Sequence, residues 1–334
     1  MKKQLVVVGL MALGLLVGGC QKDVTGPSES SPDGVTTEQE AMKYYALRDE
    51  FVLNDEMTIQ EQGAEEFEYG TFSMSKTEAA IYPVRWGRII TSVTKNVTVT
   101  VAPGDTIAYA VVEKTMAGVL KIRGKVNPTD TVLVDVEKPF VDVSRRNVIF
   151  RRVAKNRERY WLNWVPVARS LVAGGTAKPA PAIQINMVQF VRGTGDTLTI
   201  TNPLQHYMRY RWLNYWLRDT QDNVLEIAAG TPVRMRVMVT SSEQDTDFVF
   251  LRFGFTLLER RRLPLECIFV KDNGDGTYTR IYQTYGVRRV IAPAMHFHRG
   301  YFHLALDAVT KSTLFTDDTN RYAVSWWGVP YRVL

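Results

Sequence analysis

The sequence predicts a mainly β protein built from about two β-sandwich domains, and three observations carry that prediction. From about Phe72 onward apolar residues recur with period two, most strictly in Asn96-Val97-Thr98-Val99-Thr100-Val101. Such alternation puts one face of an extended chain in a core and the other in water. The alternating runs are short, with Gly, Pro, Asn and Asp between them at turn-forming positions. The chain has 334 residues, 45% hydrophobic and 23% charged, which suits a core-forming protein with about two compact units.

Residues 1–19 read as an address. Met1-Lys2-Lys3 is a short positive region, and Leu5 through Val17 is an apolar run too short to span a bilayer. Gly18-Gly19 then leads into Cys20. Leu16-Val17-Gly18-Gly19-Cys20 resembles the lipobox of bacterial lipoproteins. That resemblance implies cleavage before Cys20, diacylation of its thiol and acylation of the new amino terminus. Attachment to a membrane would then rest on the lipid, and linked acyl chains on one residue anchor where a single chain is marginal. Gln21 stands where the sorting rule of enteric lipoproteins places Asp for inner-membrane retention, so the same resemblance implies the outer membrane of a bacterial envelope.

The formal charge is +6, from 41 basic and 35 acidic residues. Removing the leader takes away Lys2 and Lys3 and no acid, which leaves a mildly basic chain without the charge density of a nucleic-acid binder. Arginine is dense at Arg145, Arg146, Arg151, Arg152, Arg157 and Arg159, and again at Arg260-Arg261-Arg262. A solvated strand face is the expected reading; contact with anionic lipid or acidic glycan is the alternative.

Residues 20–36 form the lipidated cysteine and a flexible, disordered tether, rich in Ser, Pro, Gly, Asp and Thr. In Thr37-Glu38-Gln39-Glu40 the Thr and the second Glu stand at capping-box spacing. The helix they open carries Ala41, Tyr44, Tyr45, Leu47, Phe51 and Val52 on one approximate stripe and is expected to end near Asn54. A short helical segment therefore covers 37–70, with the acidic Glu61–Glu68 as a loop or a further helical turn.

The first sandwich domain is expected over 71–173. After Asn96–Val101 comes the turn Ala102-Pro103-Gly104-Asp105, then strands at Thr106–Val112, Val119–Arg123, Thr131–Val136 and Asn147–Val153. Val97 through Thr106 resembles a strand and turn of immunoglobulin-like sandwiches, which implies a fold class and no activity. Gly174-Gly175-Thr176-Ala177-Lys178-Pro179-Ala180-Pro181 marks a linker over 174–182. The second domain then spans 183–334. In Val233-Arg234-Met235-Arg236-Val237-Met238-Val239 one face should be buried and the other wet. Further strands are expected at Ile183, Thr197–Thr201, Asp247–Thr256, Leu265–Val270, Thr277–Gln283 and Gly286–Ile291. Tyr322–Leu334 is too aromatic for a disordered tail and reads as a last strand pinned by Trp326 or Trp327.

Three of the four histidines fall in Met295-His296-Phe297-His298-Arg299-Gly300-Tyr301-Phe302-His303. With Arg299-Gly300 as a hairpin turn, His296 pairs with His303 and shares a face with His298. Three imidazoles there would ligate zinc or copper with one position open; a plain polar surface is the alternative, since no carboxylate of the segment supplies an outer shell. Lys271-Asp272-Asn273-Gly274-Asp275-Gly276-Thr277 puts glycines where a calcium loop needs ligands and reads as a hairpin connection. In an extended chain Tyr210, Trp212 and Trp216 share a face, a platform for sugar rings or, alternatively, core with arginine stems laid over it. If Cys20 carries lipid, Cys267 has no intramolecular partner, and its apolar run makes it a buried structural thiol.

The chain has no Gly-x-Ser-x-Gly elbow, no Walker loop, no His-Glu-x-x-His and no Cys-x-x-Cys pair. The resulting reading is a lipid-anchored envelope protein with a non-catalytic binding or structural role and no cofactor. Its partner would be another envelope protein or a glycan, not nucleic acid. The alternatives are a carbohydrate-binding or carbohydrate-active lipoprotein using Trp212 and Trp216, and a metal-binding lipoprotein using His296, His298 and His303.

Overall fold

In the computed structural model the described residues are 34–48, 65–66, 80–156, 158–177, 182–192, 196–209, 225–227, 233–253, 261–284 and 300–333. They are mainly strand. Helix α1 (Glu38–Arg48) precedes β1 (Glu65–Glu66) and three long strands, β2 (Tyr82–Val101), β3 (Ile107–Lys125) and β4 (Val134–Arg152). Then come β5 (Trp164–Ser170), β6 (Val172–Thr176), β7 (Ile183–Arg192), β8 (Thr197–Ile200), β9 (Tyr207–Arg209) and β10 (Leu225–Ile227). The chain continues with β11 (Val233–Ser241), β12 (Phe248–Phe253), β13 (Arg261–Pro264), β14 (Glu266–Asp272), β15 (Tyr278–Thr284), β16 (Gly300–Val309), helix α2 (Lys311–Phe315) and β17 (Val324–Val333). One sheet runs β1-β2-β3-β4-β6-β17-β16-β12-β13, with β5, β9 and β10 paired off that path; a second runs β14-β15-β11-β7-β8.

The capping box is formed. The Glu40 backbone amide donates to Thr37 Oγ1 at 3.1 Å, and the Thr37 amide donates to Glu40 Oε2 at 3.0 Å. Among the described residues the helix runs to Arg48; its expected end near Asn54 lies outside them. Arg169 donates to the carbonyls of Tyr45 and Ala46 in its last turn, satisfying groups the helix itself leaves open. Met42 and Ala46 pack on Val97, Ala110, Val148, Phe150 and Trp164 at one end of the β2–β4 meander. The acidic stretch expected as loop or helical turn includes β1, whose Glu65 and Glu66 lie opposite Trp86 and Arg85 of β2.

The short strands expected in 71–153 merge. Thr106–Val112 and Val119–Arg123 belong almost wholly to β3, and Thr131–Val136 leads into the same β4 that holds Asn147–Arg152. The alternation continues between them through Lys114 and Met116 on β3 and through Lys138, Asp142, Ser144 and Arg146 on β4, all buried. A charged residue at a core position interrupts a hydrophobicity pattern without interrupting the strand. The arginine-rich stretch divides the same way: Arg145 and Arg151 face water, but Arg146 is buried.

The larger sheet curls. Trp86 of β2 lies 5.5 Å from Phe250 of β12, ring centroid to centroid, and the Arg262 guanidinium of β13 sits 3.6 Å over the Trp86 ring. Strands from near opposite ends of the sheet order therefore meet. Within the curl lie Trp86, Met116, Phe140, Phe250 and Trp326, with Leu314 and Phe315 of α2. On the other side, Leu304 and Leu306 of β16 and Trp327, Val329 and Tyr331 of β17 pack against Ile185, Val188 and Val237 of the five-stranded sheet. Strand β17 is thus buried on both faces, which is why its sequence reads as a continuous apolar run. The expected alternation of β11 is present, with Val233, Met235, Val237 and Val239 buried.

Gly174 and Gly175, expected in a linker, lie in β6, paired with Ser144 and Val143 of β4 on one side and with Trp326 and Ser325 of β17 on the other. Their lack of side chains serves close approach: a Cβ at 174 would fall on the Trp326 indole, and one at 175 on the Val324 carbonyl oxygen. The expected hairpin at 271–277 is present, with Gly274 and Gly276 at positive φ of 79° and 83° between β14 and β15. Gly174→Ala should destabilise the fold by about 1–3 kcal/mol through overpacking against Trp326. Chemical denaturation measures it; an unchanged midpoint would mean that the indole moves away freely.

Candidate functional site

The most unusual chemistry among the described residues is a set of charged side chains inside the curl. It is assembled from five strands. Asp307 of β16 stands in one cross-strand row with Trp326, Gly174 and Ser144 on one side and Phe250 on the other. Its Oδ2 accepts from Arg88 Nη2 of β2 and, at 2.6 Å, from Arg252 Nη2 of β12. Arg88 Nη1 also lies 3.7 Å from Asp142 Oδ2 of β4, and the Tyr322 hydroxyl donates to that same oxygen at 3.0 Å. Arg262 completes the set, stacked on Trp86. Arg88, Asp142 and Asp307 are all 0% exposed, so water does not screen these charges.

The two carboxyl groups are driven apart. Burial raises Asp307, but Arg252 and Arg88 outweigh it and hold its carboxyl below the usual range. At Asp142 burial dominates and pushes the carboxyl up to about 7 despite Arg88 and Tyr322. Burial pulls the Arg262 guanidinium down to about 9, opposed by Asp307. Tyr322 is raised well above its ordinary value, first by burial and then by the Asp142 charge. A pair of acids with separated proton affinities is a familiar acid–base arrangement. Here both are buried, and with Arg88 and Arg252 they join β2, β4, β12 and β16.

Two further clusters share this character. Arg280 Nη1 donates to Asp247 Oδ2 at 2.6 Å, and its Nη2 donates to the carbonyls of Glu243 and Gln244. Ser241 donates to Asp247 Oδ1 and Tyr282 to the Asp247 carbonyl, so the crossing between the two sheets is fastened onto β15. Burial pushes the Asp247 carboxyl up to about 7 against the opposing Arg280 charge. On β4, Lys138 Nζ donates to the carbonyls of Ser312 and Arg321 and to Thr316 Oγ1 around the end of α2; burial pulls its ammonium down to about 8.

Of the residues singled out from the sequence, Cys20, Tyr210, Trp212, Trp216, His296 and His298 lie outside the described residues. The backbone of His303 lies in β16 opposite Pro330 of β17. Among the described residues no group of three or more His, Cys, Asp or Glu is placed to hold a metal ion. Cys267 is half-buried rather than fully buried, on a strand whose Ile268, Phe269 and Val270 are exposed; its Sγ lies 3.5 Å from the Phe269 carbonyl, and burial pushes the thiol up. The buried ion cluster was not among the expected sites. Its signal was present, in charged residues at positions where period two calls for apolar ones.

Comparison of the chain with protein-family models, with curated proteins and with solved structures finds no match to any of them.

Asp307→Asn should destabilise the protein by about 3–5 kcal/mol, because it leaves Arg88 and Arg252 buried without their counter-charge. Urea denaturation of the variant checks this; a loss below about 1 kcal/mol, the scale of an exposed pair, would overturn the account. Asp142 and Asp247 take up protons on folding, since their folded values near 7 exceed the unfolded value of about 4. Their contribution to stability is full below that unfolded value and is lost as pH rises through about 7. Unfolding free energy should therefore fall from pH 4 to 7 in this part of the profile, and Asp142→Asn should make the fall shallower. A variant with the wild-type slope would show that Asp142 is ionised throughout.

Proposed function

We propose that the protein is a lipid-anchored component of a bacterial envelope, held through Cys20 at the outer membrane, with a non-catalytic binding or structural role toward another envelope protein or a glycan. The observation that carries the non-catalytic part is the enclosure of the Asp142–Asp307 pair, whose charges are spent on joining strands of the curled sheet. The remaining exposed surface includes a broad sheet face on β2–β4, which suits docking more than chemistry. The sandwich reading of the second half rests on the packing of the five-stranded sheet against β12, β16 and β17. The anchoring part rests on Leu16 through Cys20, followed by the polar stretch that would act as a tether.

The anchoring is tested by feeding bacteria that express the full chain an alkyne analogue of palmitate and separating membrane from soluble fractions. The wild type should carry the label and sediment with membranes, whereas Cys20→Ser should lose the label and leave the membrane fraction. Label retained on Cys20→Ser would end the proposal.

A further inference from the structure

We propose that the outer face of the β2–β4 meander is a docking surface for a second copy of this chain, related by a two-fold axis that crosses the strands at the Ala117–Val141 row. The inference does not depend on lipid anchoring. Strands β3 and β4 pair without a register shift, so their outward side chains form straight rows: Glu113 with Arg145, Thr115 with Val143, Ala117 with Val141, Val119 with Pro139, Lys121 with Glu137. The first row is an ion pair at 2.7 Å and the last an ion pair at 2.8 Å. Counted from Ala117, Glu113 stands four residues to one side and Lys121 four to the other. Counted from Val141, Arg145 and Glu137 do the same. On each strand the sign of the charge reverses across the centre.

That reversal selects an occupant. Laying β3 on β3 of a second copy, antiparallel about the central row, sets Glu113 against Lys121 of the second copy and Arg145 against Glu137 of the second copy. Glu113 and Glu137 then each meet a base of the second copy, while the outermost Arg123–Asp135 pair meets the Val111–Asn147 row. The other face-to-face two-fold, with its axis along the strands, sets Glu113 against Glu113 when it runs over β3 but against Arg145 of the second copy when it runs between β3 and β4; the charge swaps below would leave that last arrangement attractive and so separate it from the one proposed. Between the charged rows the face is uncharged, with Thr115, Ala117, Val119, Pro139, Val141 and Val143, and Val141 is 43% exposed. An antiparallel sheet left to face water on this side would carry polar residues there.

The dimensions suffice. From Val111 to Arg123 across three strands the patch covers roughly 600 Å² per copy, about 1,200 Å² in all, at the lower limit of specific interfaces.

The test uses the full-length chain in density-matched detergent, followed by sedimentation equilibrium. The double substitution E113R/R145E keeps an ion pair within each copy but turns both contacts between copies repulsive, and K121E/E137K does the same. The wild type should be a dimer, each double swap should weaken dimerisation about tenfold or more, and the four substitutions together should restore it. Should a swap unfold the protein, Ala117→Arg, which sets two like charges together on the axis, should break the dimer with unchanged thermal unfolding. A monomeric wild type, swaps that dimerise as well as the wild type, or a combined variant that stays monomeric would each overturn the proposal.

Discussion

One carboxylate holds the larger sheet in its curl. Asp307 draws Arg88 from β2 and Arg252 from β12 onto a single oxygen, and these strands lie far apart in the sheet order. Apolar packing alone would favour many ways of folding a long sheet over an oily interior, because it is not directional. A buried charge is intolerant of any arrangement that separates it from its partners. The position of Asp307, one row-neighbour from Trp326 and one from Phe250, makes the ionic contact and the aromatic packing depend on each other.

The other fastenings follow the same logic at the margins of the fold. Helix α1 is held at its first turn, where Glu38 accepts from Arg152, Asn163 and Trp164, and at its last turn by Arg169. Burial would raise the Glu38 carboxyl, but those three donors outweigh it and keep it low, the favourable charge for a helix N-terminus. Asp247 and Arg280 secure the crossing from the five-stranded sheet to the larger one, and Lys138 closes the end of α2. Several of these ties use a buried cation with a carboxylate or carbonyl, so Arg88, Lys138, Arg169, Arg252 and Arg280 are internal and unavailable to a partner.

That distribution bears on function. The proposed envelope role relies on surfaces, and a broad one among the described residues is the outer side of β2–β4, where exposed ion pairs alternate with small and β-branched residues. Long strands make such a face possible, since β3 and β4 pair without a register shift over their whole length and present rows that a short-stranded sandwich could not. The curl and the face are two sides of one meander: the inner side carries the core and its charges, the outer side the pattern open to docking.

The mainly β class, the Thr37 capping box, the alternation of β11, the hairpin at Gly274–Gly276 and the strand character of the C-terminal segment were all legible in the sequence, because each is a local consequence of side-chain type and spacing. The length of β3 and β4 was not, since Lys114, Lys138, Asp142 and Arg146 look like breaks until partners elsewhere in the chain allow them to be buried. Gly174 reads as part of a linker for the same reason; its role appears once the Trp326 indole lies over it. Local periodicity determines which residues can share a face. Which faces are buried, and which charges they can carry inside, is decided by contacts between residues more than a hundred positions apart, such as Arg88 and Asp307, and no window of sequence contains both.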